Sequence, residues 1–433
     1  MLNAFFGLDQ HGTSVRNELF AGLTTFLTMA YIIFVNPDIL AAAGMDKGAV
    51  FVATCLAAAF GSLVMGLYAN YPVALAPGMG LNAFFAFVVV KGMGVTWPVA
   101  LAAVFVSGVL FVLLSVLPVR AWIINSIPRS QKLAVAAGIG LFLGFIGLKS
   151  AGIVIANPAT FVTVGKLTSW PVILAACGFA AMVALDYRRI PGAIIISIIL
   201  VTAAGIYLGV SHRPSAVIDV PPSLAPTFLA LDLTGLFKLS FATMLILVFS
   251  FLLVDLFDTA GTLIGLAHQA KLLDEKGNLP RIGPALVADS TATVAGALLG
   301  TSTTTSYIES AAGIRAGGRT GLTAVFAAMF FLLALLFAPL ATSIPAYATA
   351  PAILFVACVM ARSIAEVEWD DISESVPAVI TAIGMPLTFS IATGIGLGFI
   401  AYVAIKLVCG RALEVSAAMW LVAVIFLAYF VTV

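Results

Sequence analysis

The chain has 433 residues, of which 62% are hydrophobic and only 9% are charged, and its mean hydropathy is +1.17. Globular proteins contain about 25% charged residues, so this composition excludes a soluble multidomain protein and predicts a polytopic all-α protein in a lipid bilayer. The formal net charge of +1, without a dense run of Lys or Arg, argues against nucleic acid as a partner.

Apolar runs of span length, taken in chain order, predict two sets of seven membrane segments. Residues 1–18 are predicted to be a cytoplasmic N-terminal lead-in. The first set lies within residues 19–210: Leu19–Val35, Val50–Ala69, Val73–Val90, Val99–Leu117, Leu133–Leu148, Pro171–Leu185 and Ile190–Val210. A polar, Pro-rich connection follows at 211–240. The second set lies within residues 241–411: Phe241–Ala267, Pro284–Leu299, Gly300–Arg315, Leu322–Thr342, Ala346–Ala361, Val376–Ala392 and Thr393–Leu407.

One further apolar segment lies within residues 412–433. The run Val415–Val433 either spans the membrane, lies in the interface or packs on the bundle, and the sequence leaves these three open.

The distribution of cations supports fourteen core spans. With the N-terminus on the cytoplasmic side, fourteen of the 20 Lys and Arg residues fall on the cytoplasmic side and six fall outside. Because seven is odd, the second half enters the membrane in the opposite orientation. The two halves are therefore predicted to form a 7+7 inverted repeat.

The third segment of each half is predicted to be a broken helix. In the first half, Pro77, Gly78 and Gly80 interrupt the run APGMGLNAFFA. In the second half, the β-branched residues of GTSTTTSYIESAAGI favour extended backbone. Segments 3 and 10 should therefore contain short extended strands that pair at the membrane midplane, where transporters bind their substrates. The alternative is two kinked helices without a ligand.

Four carboxylates lie inside predicted spans, where each ionisable group costs about 2.5–3.5 kcal/mol on insertion scales. Asp255 and Asp258 are neighbours on one helix face, Asp289 lies near a span end, and Glu309 lies in the second broken segment. Apart from Arg315 at the very end of the second broken segment, no Lys or Arg lies in these segments to neutralise them, so water, a proton or a ligand N–H must do so. Asp289 could instead cap or brace a helix, and Asp255 could face a polar crevice.

Weaker signals accompany the carboxylates. Asn82 occupies the position in segment 3 that Glu309 occupies in segment 10, and a buried amide needs both donors and acceptors. Thr28 lies one turn from Thr24 in the first span. Phe84 and Tyr307 flank the two breaks, where an aromatic ring either packs in the core or stacks on a ligand.

Four motifs carry a family resemblance over essentially the whole chain: GLTTFLTMAYIIFVNP, APGMGLNAFFAF, VDLFDTAGTLIG, and GTSTTTSYIESAAGI followed by GGRTGLTA. The chain resembles the adenine/guanine/hypoxanthine permeases, the azaguanine-resistance branch of the nucleobase–ascorbate transporter superfamily. The resemblance implies a core domain of spans 1–4 and 8–11, a gate domain of spans 5–7 and 12–14, and uptake of a purine base with a proton. It also implies that Asn82, Asp258, Asp289 and Glu309 matter for binding or transport.

The chemistry of a purine agrees with these residues. A carboxylate accepts from the N–H groups of the base, an amide both donates and accepts, and an aromatic wall adds stacking of about 1–3 kcal/mol. Carboxylates close together in a low dielectric cannot all stay ionised, which is a basis for proton coupling. We assign to substrate binding Glu309, Asp258, Asn82, Thr28, Phe84, Tyr307 and Thr305, and to proton coupling or support Asp289, Asp255 and Thr262.

The predicted protein is a proton-coupled purine symporter of the bacterial inner membrane and not an enzyme, without a metal or cofactor beyond the coupling proton. The alternatives are an anion carrier of the same fold, of sulfate or bicarbonate type, a channel, and, far behind, an intramembrane hydrolase that uses paired aspartates. The sequence does not define the preferred purine or the oligomeric state; a homodimer through the gate domain is the assembly that we expect.

Overall fold

The computed structural model describes residues 2–116, 127–214, 216–270 and 282–432. Four of the cations that the topology places on the cytoplasmic side lie outside these residues: Arg120, Lys271, Lys276 and Arg281.

The first half of the chain supplies spans 1 to 7. A short helix α1 (Leu2–Phe6) precedes span 1, which consists of α2 (Val15–Met29) and α3 (Ile32–Ala41). The remaining elements are α4 (Lys47–Val64) with a π-helical end (Met65–Ala69) as span 2; β1 (Leu75–Pro77), α5 (Met79–Ala83) and a π-helical stretch (Phe84–Gly92) as span 3; α6 (Trp97–Val116) as span 4; α7 (Arg129–Ser150) as span 5; the hairpin β2 (Val154–Asn157) and β3 (Phe161–Val164); α8 (Trp170–Tyr187) as span 6; and α9 (Ala193–Tyr207) as span 7.

The second half repeats this order. Its elements are the short α10 (Leu233–Lys238) in the connection; α11 (Phe241–Ala270) as span 8; α12 (Ile282–Leu299) as span 9; β4 (Thr304–Ser306) and α13 (Ser310–Arg315) as span 10; α14 (Gly321–Ala334) and α15 (Ala338–Ser343) as span 11; α16 (Ala346–Ala361) as span 12; α17 (Ile372–Thr388) as span 13; α18 (Ile391–Val408) as span 14; and a last helix α19 (Ala417–Thr432).

This order confirms the predicted fold class. Among the described residues, nine segments are long and apolar enough to cross a membrane. Spans 3, 7, 8 and 13 supply shorter apolar stretches, and span 10 is a strand followed by a six-residue helix.

The two broken segments meet as a pair of antiparallel strands. The register of β1 and β4 is Leu75 opposite Ser306, Ala76 opposite Thr305 and Pro77 opposite Thr304. All six residues are buried. At the breaks, the backbone N–H and C=O groups have no partners within a helix. The strand pairing supplies these partners, which a lipid environment cannot do.

The hydrogen bonds continue beyond each end of the strand pair. The Gly78 N–H donates to the Thr303 carbonyl at 2.9 Å, and the Tyr307 N–H donates to the Ala74 carbonyl at 3.0 Å. The predicted extended strands of segments 3 and 10 are thus present.

The helices fall into two groups by their contacts. Spans 1, 2, 4, 8, 9, 10 and 11 pack mainly on one another, whereas spans 5, 6, 7, 12, 13 and 14 form a second set of contacts. Span 3, including β1, contacts spans 1, 2, 4, 8, 9 and 10 and also span 5. The division into a core domain and a gate domain that move against each other stays a prediction.

The N-terminal lead-in ends earlier than predicted. Helix α2 begins at Val15 behind Ser14, whose Oγ accepts a hydrogen bond from the Asn17 N–H at 3.3 Å. Before it, Phe6 and Leu8 are buried against Leu322 of span 11. The lead-in is therefore packed on the bundle, and the first four residues of α2 belong to span 1.

Glu18 is a fully buried carboxylate near the start of span 1 that the sequence analysis did not single out. One of its oxygens accepts from Thr13 Oγ1 at 2.9 Å and from the Arg319 N–H at 3.0 Å. The other accepts from the Thr320 and Thr323 N–H groups at 3.3 and 3.1 Å and from Thr323 Oγ1 at 2.5 Å. Glu18 therefore provides hydrogen-bond acceptors for the backbone N–H groups at the amino end of span 11.

Replacing Glu18 by Gln should lower the thermal stability of the purified protein, with a loss of about 1–3 kcal/mol in the free energy of unfolding. In either orientation the new amide NH₂ faces an N–H donor of residues 319–323. The measurement is the temperature at which half of the protein survives heating in detergent. The exposed Glu368→Gln is the matched control, and equal midpoints for the two variants would contradict this assignment.

The last helix packs on span 14, and ion pairs hold the segment that precedes it. A Cβ on Gly396 of α18 would lie 2.5 Å from the Phe426 ring, so α19 contacts α18 closely. The fully buried Lys406 pairs with Glu374 at 2.7 Å and with Glu414 at 2.9 Å. The run that the sequence left open, Val415–Val433, thus packs on the bundle over its described residues.

Asp371 and Arg411 extend these ion pairs where span 13 begins. Asp371 caps α17 by accepting from the Ser373 N–H and Oγ at 2.8 and 2.7 Å, and it pairs with Arg411. The hydrogen bond from the Ser373 hydroxyl and the bond from Arg411 hold the pKa of Asp371 well below its usual range. Bonds from Arg411 and Lys406 likewise lower the pKa of Glu414.

The stabilisation from the Asp371 charge should be independent of pH near neutrality. A carboxylate whose pKa is lowered by folding stabilises the protein above its unfolded pKa, near 3.9, and loses this effect as the pH falls towards the folded pKa. The difference in melting temperature between wild type and Asp371→Asn, which keeps a capping side chain, should stay constant from about pH 5 to about pH 8 and shrink below about pH 4. A difference that changes between pH 5 and 8 would contradict this origin.

Candidate functional site

Glu309 lies at the point where the second broken segment turns from strand to helix. It follows β4 and immediately precedes α13, and its side chain is half-buried. The Tyr31 hydroxyl, at the junction of α2 and α3, donates to Glu309 Oε1 at 2.5 Å. The Thr28 hydroxyl contacts the Glu309 carbonyl at 3.4 Å. The break in span 1 and the break in span 10 thus meet at one carboxylate.

The four predicted carboxylates form one connected group. Asp258 on α11 is half-buried and interacts electrostatically with Glu309. Asp289 on α12 interacts with Asp258, and Asp255 interacts with both Asp289 and Asp258. No described Lys or Arg forms an ion pair with any of the four. The site is therefore a cluster of acceptors whose charge must be balanced by protons or by ligand N–H groups.

Asp289 holds strand β4 in place. One oxygen of this fully buried carboxylate accepts from the Ser306 N–H at 2.8 Å and from Ser306 Oγ at 2.9 Å. The other accepts from Thr259 Oγ1 at 2.7 Å, and Thr259 also lies 2.7 Å from Thr305 Oγ1. Asp289 thereby links spans 8 and 9 to the strand pair, which is the bracing role that the sequence left open for it.

Asp255 contacts the same strand from one turn farther up α11. One of its oxygens accepts from Thr293 Oγ1 at 3.0 Å, and Thr293 also contacts the Thr304 carbonyl at 3.0 Å. The other oxygen is buried without a hydrogen-bond partner among the described residues. The two aspartates of span 8 therefore differ: Asp258 interacts electrostatically with Glu309, whereas Asp255 accepts a hydrogen bond from Thr293 of span 9.

Asn82 is fully buried in α5 and accepts a hydrogen bond from the Ser302 hydroxyl, just before β4. Its amide nitrogen has no partner in the part of the chain that the structure describes. The amide oxygen thus joins the two broken segments, and the NH₂ group remains available to donate. Its predicted contact with substrate stays a prediction.

The other predicted residues have separate positions. Tyr307 is buried and its hydroxyl donates to the Pro77 carbonyl at 2.6 Å, so it ties β4 to β1. Thr305 lies in β4, and Thr262 is half-buried one turn beyond Asp258. Phe84 packs edge-on against Phe251 with ring centroids 5.0 Å apart, and it lines a cavity of about 260 Å³ between spans 3, 8, 13 and 14.

Tyr31 is the residue at Glu309 that the sequence analysis missed. It stands three positions after Thr28 in the motif GLTTFLTMAYIIFVNP, on the same helix face, and it is fully buried. A tyrosine inside an apolar run needs a partner for its hydroxyl, and that signal could have identified it.

Membrane spans that break into paired strands, with a carboxylate cluster beside the break, define a membrane transporter. The comparisons with known proteins agree with this class. The family Xan_ur_permease, described as "Permease family", matches residues 16–428. The chain belongs to this permease family.

The similarity to known permeases extends over nearly the full length of the chain. The chain is 50% identical to the adenine permease AdeP of Escherichia coli (strain K12) over 99% of this chain and 95% of AdeP. It is 49% identical to the guanine/hypoxanthine permease PbuG of Bacillus subtilis (strain 168) over 99% of each. These relatives confirm the resemblance stated from the motifs. The chain is a multi-pass transporter and not an enzyme.

A solved structure confirms the fold. The transmembrane domain of the cyanobacterial bicarbonate transporter BicA superposes with a TM-score of 0.67 at 18% identity, over 87% of this chain and 97% of that domain. At this identity the likeness concerns the fold alone.

Proposed function

We propose that the chain takes up purine nucleobases, of the adenine, guanine and hypoxanthine class, by proton symport across the plasma membrane. The single observation that carries the purine class is the full-length relation, at 49–50% identity, to permeases named for adenine and for guanine/hypoxanthine. The geometry supports it, because the half-buried Glu309 and Asp258 offer adjacent acceptors to the N–H groups on the edge of a neutral base.

Glu309 and Asp258 hold the base, and Tyr31 fixes the Glu309 carboxylate in position. Asp289 and Asp255 hold β4 and provide further sites for the coupling proton, since four clustered carboxylates in a low dielectric cannot all be charged. The core domain, spans 1–4 and 8–11, carries this site past the gate domain of spans 5–7 and 12–14, and the N-terminus lies in the cytoplasm. We propose a homodimer through the gate domain as its assembly.

An anion carrier of the same fold is disfavoured by the charge of the site. The likeness to a bicarbonate transporter concerns the fold. A cluster of four carboxylates without a described ion-pair partner repels an anion.

Uptake of radiolabelled adenine, guanine and hypoxanthine by a transport-deficient strain that expresses the chain tests the proposal. We expect saturable accumulation that an uncoupler collapses and that the three bases inhibit competitively, while sulfate and bicarbonate do not. Uptake no greater than in the empty-vector strain would refute the purine assignment, and accumulation insensitive to the uncoupler would refute proton coupling.

A further inference from the structure

The cavity that Phe84 lines lies between the two groups of helices. This outer cavity, of about 260 Å³, is lined by spans 3 and 8 on one side and by the turn between spans 13 and 14 on the other. Ser250, in its wall, precedes Asp258 by eight residues on α11, a rise of about 12 Å towards the side that we predict to be extracellular. None of the four carboxylates lines it.

Aromatic rings of spans 3 and 8 pack against each other beside the outer cavity. Phe251 is fully buried, and its ring lies 5.0 Å from that of Phe84 and 6.5 Å from that of Phe85. Phe84 and Phe85 follow Asn82 in span 3, and Phe251 lies on span 8, which also carries Asp255 and Asp258. The outer cavity and the candidate site are therefore built in part on the same two spans.

The chemistry of the outer cavity suits a flat, neutral, polar ring. Phe84, Phe87 and Phe389 supply aromatic surfaces, and its polar side chains are hydroxyls, contributed by Ser250 and by residues 388, 390 and 393. No charged side chain of the described residues lines it. Hydroxyls both donate and accept, so they can match either edge pattern of a nucleobase.

Ser250 is the observation that points to a ligand. Its side chain is 1% exposed, its Oγ lacks a hydrogen-bond partner among the described residues, and it stands in the cavity wall. Burial of a polar group without a hydrogen-bond partner costs free energy. A polar molecule in the cavity would supply the partner that this hydroxyl lacks. Ligand pockets usually measure about 300–1,000 Å³, so this smaller space fits one small ring system rather than a nucleotide.

Phe389 closes the cavity from the side of the second group of helices. It has a left-handed backbone (φ 52°) at the end of α17, and its ring meets Phe87 and two rings of span 5, Phe142 and Phe145, at centroid distances of 6.0, 5.2 and 5.7 Å. Lys149 lies 5.4 Å from the centre of the same ring. A molecule in the cavity would thus touch both groups of helices at once.

We propose that the outer cavity is a second, weaker binding site for the transported nucleobase, in which the base stacks on Phe84 and Phe87 and bonds to Ser250 before it reaches Glu309. This inference rests on the proposed purine transport. It adds to that transport a binding position on the extracellular side, which the base occupies before it reaches Glu309.

Protection of a cysteine in the cavity tests the proposal. The exposed Cys177, Cys358 and Cys409 are first replaced by Ser, and Thr388→Cys, an exposed position in the cavity rim, is introduced as reporter. Its reaction with a membrane-impermeant methanethiosulfonate is followed on intact cells with and without adenine or hypoxanthine, in the wild-type and Glu309→Gln backgrounds. Val217→Cys, exposed in the connection between the halves, is the control reporter.

We expect both bases to slow the reaction at Thr388→Cys in both backgrounds and to leave Val217→Cys unchanged. Ser250→Leu, which fills the cavity, should remove the protection. The milder Ser250→Ala should raise the KM of uptake by about 2- to 12-fold, the value of one hydrogen bond, with little change in the maximal rate.

The outcomes separate the two proposals. Protection that disappears in Glu309→Gln would show that the cavity only senses occupancy of the carboxylate site, and it would overturn the second site, as would no protection in either background. Uptake of purines without protection overturns the second site alone. Protection without purine uptake by the wild type overturns the proposed transport and leaves the second site standing.

Discussion

Glu309→Gln is expected to reduce purine uptake, at concentrations below KM, by about 10- to 150-fold. The amide keeps an oxygen for the Tyr31 hydroxyl, so the local geometry is preserved. It loses the charge that strengthens a hydrogen bond to a ligand N–H, and such charge-assisted bonds contribute about 1.5–3 kcal/mol. The variant also lacks a group that can carry the coupling proton. Radiolabelled uptake, normalised to the amount of protein in the membrane, measures the effect.

The matched control is Glu366→Gln. Glu366 pairs with Arg129 at 3.2 Å, but its side chain is 63% exposed, and exposed pairs contribute little. Its uptake should equal that of the wild type. If Glu309→Gln also showed normal kinetics, the assignment of Glu309 to the substrate would be wrong.

Asp289→Ala is expected to impair both stability and uptake. It removes the acceptors of the Ser306 N–H, the Ser306 hydroxyl and the Thr259 hydroxyl in a fully buried position. A buried N–H left without a partner costs about 1–3 kcal/mol, and β4, which leads into Glu309, loses its brace. The heating midpoint in detergent and the uptake rate should both fall, and a wild-type midpoint would contradict the bracing role.

Asp289→Asn separates bracing from proton transfer. The amide oxygen can accept from Ser306 while the NH₂ donates to Thr259 Oγ1, whose own proton can turn to Thr305. Stability should therefore be close to that of the wild type. Retained uptake would identify Asp289 as a brace only, whereas lost uptake in a stable protein would identify it as a carrier of the coupling proton.

The sequence was sufficient to predict the features that cost free energy in a bilayer. Proline and glycine at 77, 78 and 80, and the threonines of GTSTTTS, mark helix breaks because lipid offers freed backbone no partner, and β1 and β4 lie at those breaks. Asp255, Asp258, Asp289 and Glu309 stand out for the same reason, and they do form one connected group.

Features that depend on tertiary contacts could not be read in this way. In the sequence, Glu18 looks like an ordinary residue of an N-terminal lead-in. Its role depends on the N–H groups of span 11, which only the fold brings to its carboxylate. Tyr31 belongs to an apolar run, and its partner lies 278 residues away. Phe84 lines the outer cavity together with residues of spans 8, 13 and 14, which its own segment of sequence does not contain. Periodicity and composition describe the segment to which a residue belongs, whereas the roles of these residues depend on contacts with a different segment.

The pairing of β1 with β4 has a consequence for how the protein is made. The two strands come from opposite halves of the chain; Pro77 and Tyr307, joined by a hydrogen bond, stand 230 residues apart. At synthesis rates of about 5–20 residues per second, the first half waits roughly 10–50 s in the membrane before its partner strand exists. During that time the backbone around Pro77 lacks the partner strand and must be hydrated or shielded by the insertion machinery.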